Sequence, residues 1–225
     1  MTTPAQRRAF LDERRAAATR RYDELHSASY DELWGEVSPT HRACVDRLLA
    51  STPDGGLVVD VACGTGKYWS QLLAAGRRVL GLDQSSRMLD QARAKHPEVP
   101  TRVLGLQDLT GTAELAGIAD GLLCVDALEN VGPEDWPRVL GGFRAMLRPG
   151  ASAYLTIELS EEPLPAPVDP RQVAGELFAG GGYHYYPDPD RVRGWLAGAG
   201  FVTVAQSESN DYWHLLVRAP GTGHR

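Results

Sequence analysis

Along this chain the apolar residues keep two spacings, a helical one and short unbroken runs. Residues 4 to 25 are rich in helix formers, and Phe10, Leu11, Ala18, Tyr22 and Leu25 fall on one face, which predicts an amphipathic helix. A short segment, Ser29 to Trp34, precedes Ser38-Pro39, an N-cap and first-turn pair that predicts a helix to about Ala50. Beyond it the rhythm changes. Leu57 to Val61 is apolar except for Asp60, as suits a parallel strand covered on both faces. Helices are then predicted over 67–75, 86–96, 133–147 and 189–199, and strands over 78–83, 101–106, 121–125, 151–159, 201–207 and 211–218. Gly76 and the Arg148-Pro149-Gly150 run supply helix stops. Strands alternating with helices predict an α/β fold, three-layered and doubly wound around a mostly parallel sheet.

The first strand runs straight into Ala62-Cys63-Gly64-Thr65-Gly66-Lys67-Tyr68. Glycines there let the backbone turn tightly and approach a ligand, which predicts a nucleotide cradle. A dinucleotide site would carry a third glycine for close helix–strand packing, and Trp69 stands in that place. Asp83 ends the next strand where doubly wound folds set a carboxylate against ribose hydroxyls. A helix N-cap beside Ser85 and Ser86 is the plainer reading of the same acid.

Asp60, three residues, then Gly64-Thr65-Gly66 resembles the first motif of the class I (Rossmann-like) S-adenosylmethionine-dependent methyltransferases. The resemblance extends from Leu57 to Arg218 and includes Leu147-Arg148-Pro149-Gly150 before the fifth strand. It implies a seven-stranded sheet with an antiparallel last strand, and S-adenosylmethionine as cofactor, with S-adenosylhomocysteine as product. It also implies cofactor-binding roles. Asp60 anchors the methionine amino end, Ala62, Gly64 and Gly66 form the cradle, and Asp83 with Gln84 takes the ribose. Met88 lies near the adenine, Asp108 with Leu109 receives the adenine amine, and Asp126 closes the set. Tyr22 and Tyr30, with Trp34, belong to N-terminal helices that close over the site. Two departures stand out: Ala62 sits where glycine is frequent, and Asp126 with Glu129-Asn130 replaces the usual neighbours of the fourth strand.

Residues 160 to 189 shift in composition, with Pro163, Pro165, Pro167 and Pro170, then Gly180-Gly181-Gly182 and Tyr183-His184-Tyr185-Tyr186. A long insertion in a compact domain reads as a substrate lid after the fifth strand, its aromatics laid over a ligand. His184 is the preferred general base, with Glu158 and Glu129 as the other catalytic candidates. His214 reads as structural. Asp126, Glu129 and Asn130 could share a face and hold Mg2+, but no second acidic pair supports it, and no metal is expected.

The chain divides into an N-terminal helical lid, 1–52, and a cofactor-binding domain, 53–225. Six arginines, Arg7, Arg8, Arg14, Arg15, Arg20 and Arg21, read as a solvated face of the first helix. The formal charge of -6 argues against nucleic acid as partner. A small-molecule acceptor, methylated on oxygen or nitrogen in secondary metabolism, is the function expected, and a homodimer the assembly to test. The alternative is the same fold binding the cofactor for a non-methylating reaction such as cyclisation. Cys44, Cys63 and Cys124 lack metal spacing and read as reduced, in the cytoplasm. No run is long enough for a membrane span.

Overall fold

The computed structural model describes residues 2–26, 29–160, 163–179, 182–209 and 211–221. Gly180 and Gly181 of the expected lid, and the Leu25 side chain of the first apolar face, lie outside them. Helix α1, Pro4–Arg21, starts from a Thr3–Gln6 capping box and runs into a π turn, Tyr22–His26. Two further helices follow, α2 (Tyr30–Trp34) and α3 (Pro39–Ser51), the latter capped by Ser38 as its sequence predicts.

The domain then alternates β1 (Leu57–Val61), α4 (Trp69–Ala74), β2 (Arg78–Asp83), α5 (Ser86–Lys95), β3 (Thr101–Val103), β4 (Ala119–Cys124), α6 (Trp136–Met146) and β5 (Leu147–Glu158). After a hairpin of β6 (Glu176–Ala179) and β7 (Gly182–Tyr185) come α7 (Pro189–Gly198), β8 (Val202–Ser209) and β9 (Tyr212–Arg218). Seven strands form one sheet in the order β3-β2-β1-β4-β5-β9-β8, with β9 antiparallel to both neighbours. Apolar layers cover both faces. One joins α6 and α7 to the sheet through Trp136, Phe143 and Leu196; the other joins α3, α4 and α5 through Leu48, Leu72 and Leu89. Cys44, Cys63 and Cys124 are free thiols buried in these layers.

Strand order reverses between β1 and β4, which opens a crevice at their carboxyl ends. The backbone is contorted there: Ala62 and Asp126, the residues just beyond those strands, hold φ of 55° and 51°. Positive φ is costly for residues with a Cβ and concentrates at functional edges. Trp69 resolves the missing third glycine. Its indole is fully buried over Gly66 and Gly81, where added Cβ atoms would meet it at 2.7 and 2.4 Å. The tightness lies between ring and backbone.

Two expectations give way. Strand β3 ends at Val103, not Leu106, because Leu106–Gly111 winds into a 3-10 turn. The arginine face of α1 is not simply solvated. Arg7 pairs with Glu134 and with the buried Glu176 of β6, Arg8 with Asp135, and Arg15 with Asp108. These arginines fasten the N-terminal helix to the domain and to its hairpin.

Candidate active site

At the carboxyl ends of β1, β2 and β4 lies a cavity of about 650 Å³. Its floor is the glycine turn: Ala62 and Gly64 line it, and a Cβ on Gly64 would come 3.2 Å from the Met88 methyl. Asp83 closes one side, 8% exposed, where the Gly64 N–H donates to Oδ2 and the Ser85 N–H to Oδ1, each at 2.8 Å. Burial raises its carboxyl to about 6. Gln84, Met88 and Gln107 continue the wall, and Arg15, Ala18, Tyr22 and Tyr30 form the roof.

The roof is pinned to the parts it covers. Ser85 Oγ donates to Asp23 of the π turn at 2.6 Å, and Thr65 Oγ1 to Asp31 of α2 at 2.5 Å. Tyr22, Tyr30 and Trp34 meet as neighbouring rings, with centroids 6.4 and 5.3 Å apart.

Of the expected cofactor residues, Tyr22, Tyr30, Ala62, Gly64, Asp83, Gln84, Met88 and Asp126 line this cavity. Asp60, Gly66, Asp108 and Leu109 do not. Asp60 is turned into the protein, where Trp69 Nε1 donates to it at 2.9 Å, and burial lifts its carboxyl to about 7. Gly66 lies beneath the Trp69 ring, and Leu109 packs where α6 passes at Gly142. Asp108 is gripped by both terminal nitrogens of Arg15, which holds its carboxyl below the usual range. Arg15 and Ala18 were missed as wall residues because a lone helix does not reveal which loop it will cover; the apolar face containing Ala18 was the available signal.

A second, wider cavity of about 960 Å³ adjoins the first, and Tyr22, Tyr30 and Asp126 line both. Glu129 and His184 face it, along with Lys67, Trp34 and Tyr212. His184 Nδ1 lies 3.2 Å from Glu158 Oε2, and its ring stacks on Tyr186 at 6.1 Å. The three catalytic candidates thus converge from β5, β7 and the 3-10 turn Leu128–Asn130. Glu129 is 7% exposed; Asn130 Nδ2 donates to its Oε1 at 3.1 Å, and burial lifts its carboxyl to about 8.

The four aromatics of the expected lid do not share a face, because a strand sends alternate side chains to opposite faces. His184 turns to the cavity, and Tyr186 stacks on its ring. Tyr183 and Tyr185 are buried, the Tyr183 hydroxyl donating to Glu176 at 2.6 Å. Sequence reasoning also missed His41, whose Nδ1 lies 2.6 Å from Ser38 Oγ and whose Nε2 lies 3.5 Å from Asp126. His214 sits buried between the Tyr154 and Ser209 hydroxyls, 2.8 Å from each, as a structural residue would.

A glycine cradle at the strand switch, an acid ending β2 and a seven-stranded sheet with one antiparallel strand give this chain the fold of the class I, Rossmann-like S-adenosylmethionine-dependent methyltransferases. Residues 58–150 match the family described as "Methyltransferase domain". Among curated proteins the chain is similar to the ubiquinone biosynthesis O-methyltransferase of Xanthomonas axonopodis pv. citri (strain 306), 28% identical over 155 residues. That match covers 66% of this chain and 63% of that protein, so the chain spans less than two thirds of this relative's length. Among solved structures it is similar to magnesium protoporphyrin IX methyltransferase of Synechocystis PCC 6803 with bound S-adenosylmethionine. There the TM-score is 0.65 at 17% identity, covering 91% of this chain and 96% of the other. The [4+2]-cyclase SpnF is also similar, with a TM-score of 0.64 at 16% identity over 83% of this chain and 85% of the other. These two likenesses are of fold.

Proposed function

We propose that the chain transfers a methyl group from S-adenosylmethionine to an oxygen or nitrogen of a small-molecule acceptor, as a tailoring step. The observation that carries this is the shared wall: Tyr22, Tyr30 and Asp126 line both a cradle suited to a nucleoside and a wider cavity that two candidate bases, Glu129 and His184, face, with Glu158 behind His184. In this reading Asp83 accepts from the ribose hydroxyls, since each oxygen keeps a lone pair beyond its backbone donor. Ala62 and Gly64 let the turn approach the methionine part, and Met88 and Gln107 border the base. Asp60 acts on the cradle from beneath, through Trp69. Asp108 acts through Arg15. The N-terminal segment 1–52 serves as a cover and segment 160–189 as the acceptor-side lid.

When bound, the cofactor supplies a methyl group on a positively charged sulfur, already activated for displacement. The chain's own task is mainly positioning, and holding partners in near-attack geometry is worth on the order of 7 to 11 kcal/mol. His184 with Nδ1 turned to Glu158 leaves Nε2 free to take an acceptor proton. Incubation with S-adenosylmethionine and candidate acceptors, read by S-adenosylhomocysteine release, tests the proposal. Release that depends on the acceptor is expected. Since the same fold serves a cyclase, an acceptor transformed without consumption of the cofactor would point to the alternative reading.

A further inference from the structure

Glu129 lines the acceptor cavity, and one of its two carboxyl oxygens lacks a hydrogen-bond partner among the described residues. Oε1 accepts from Asn130; Oε2 is the unpaired one, and it is hidden from water. Leaving a buried polar atom unpaired costs about 1–3 kcal/mol, so a ligand that brings a donor completes the site. Around it stand aromatic side chains from three elements: Tyr22 after α1, Tyr30 and Trp34 of α2, and Tyr212 of β9. Their faces attract a cation. Burial raises the phenols of Tyr22, Tyr30 and Tyr212, so they stay neutral near pH 8 and add no charge of their own. Two cations line the cavity, Arg21 over the Tyr22 ring at 5.4 Å and Lys67 over the Tyr68 ring at 5.7 Å. Against them stand Glu36, Asp126 and Glu129, so the described residues of the lining have one negative charge in excess once Glu129 ionises.

We infer that the acceptor is an amine, taken up as its ammonium against Asp126 and the unpaired Oε2 of Glu129, within this ring of aromatic faces. The inference rests on the methyltransferase reading above. An alcohol or phenol would give Oε2 a donor but would leave the excess charge unmatched. The proton transfer balances simply. One ammonium N–H bond breaks, its electron pair stays on nitrogen, and the proton passes to Glu129 Oε2, leaving a neutral amine with a free lone pair; the second proton, shed by the nitrogen once it is methylated, is the one left to His184 Nε2. Glu129, with a carboxyl lifted to about 8, is a base closer to an ammonium than an exposed carboxylate would be. The groups that set its ionisation are Asp126 beside it, Glu158 of β5 and Arg21 of α1, with His184 of β7 and Lys67 lining the same space.

The test is calorimetric titration of benzylamine and of benzyl alcohol into protein saturated with S-adenosylhomocysteine, below and above the Glu129 value. Benzylamine should bind more tightly than the alcohol and gain roughly tenfold as pH rises through that value, while the alcohol changes little. Glu129→Gln should abolish the gain. Equal binding of the two probes, no binding of benzylamine, or a gain that survives in Glu129→Gln overturns the inference. The wild-type comparison alone decides the matter if the variant does not fold. Failure of S-adenosylhomocysteine itself to bind would instead remove the methyltransferase reading.

Discussion

Asp83 holds the glycine turn by its Gly64 amide, holds the start of α5 by its Ser85 amide, and still faces the cofactor cavity. Asp83→Ala should therefore weaken S-adenosylhomocysteine binding by roughly 1 to 3 kcal/mol in calorimetry; unchanged binding would remove the ribose assignment. His184→Ala should lower turnover far more than cofactor affinity, and normal turnover at every pH would show that another group takes the proton. Trp69→Phe leaves the ring volume nearly filled but strips Asp60 of its indole donor. A loss of about 1–3 kcal/mol in chemical denaturation is expected from the unsatisfied carboxyl. Asp83 was legible in the sequence because it ends a strand at a telling distance from the glycines. The partner of Asp60 was not. The Trp69 indole reaches it only because Gly66 and Gly81 leave room for the ring, a contact between β1, β2 and the turn that no local spacing displays.

At the scale of elements, the chain's punctuation was readable and its docking was not. Ser38-Pro39, Gly76 and Asp188-Pro189 mark helix ends through local backbone chemistry, and the helices start or stop there. What α1 packs on depends on partners distant in sequence, above all Arg7 reaching Glu134 and Glu176. Glu176 has no side-chain exposure, so removing its cation leaves a buried charge with fewer donors. Arg7→Ala should destabilise the protein by about 3 kcal/mol and release the β6–β7 hairpin. Limited proteolysis within 163–185 should accelerate in the variant; cleavage at the wild-type rate would show that the hairpin is held by other contacts. The same hairpin shows why His184 could be picked out while its neighbours were misjudged. Alternation along β7 needs the strand to be recognised first, and a Gly-rich aromatic run reads equally well as loop.

For the whole molecule, the strands and helices were legible as apolar runs and helical spacing, and the resemblance to a known family implied the antiparallel last strand, whereas the second cavity needed three distant segments to meet. That meeting has a cost that pH exposes. Asp60 and Glu129 are lifted by burial to about 7 and about 8, so the folded state keeps protons that an unfolded carboxyl has already released. Their contribution to stability is therefore lost as pH rises toward about 8. His214, pushed down by burial, works in the opposite sense only up to its ordinary 6.5. Stability in the absence of ligand should thus fall as pH rises from about 6.5 to about 8. Melts across that window should show the fall, with its upper part missing in Glu129→Gln; a flat profile would contradict the burial of these carboxyls.

The central claim is that the cradle at the β1–β4 switch is an S-adenosylmethionine site, and calorimetric titration of S-adenosylhomocysteine into the purified chain tests it most directly. One molecule bound per chain in the micromolar range, weakened in Asp83→Ala, is the predicted result. No binding in that range by a protein whose melt shows it folded would contradict it.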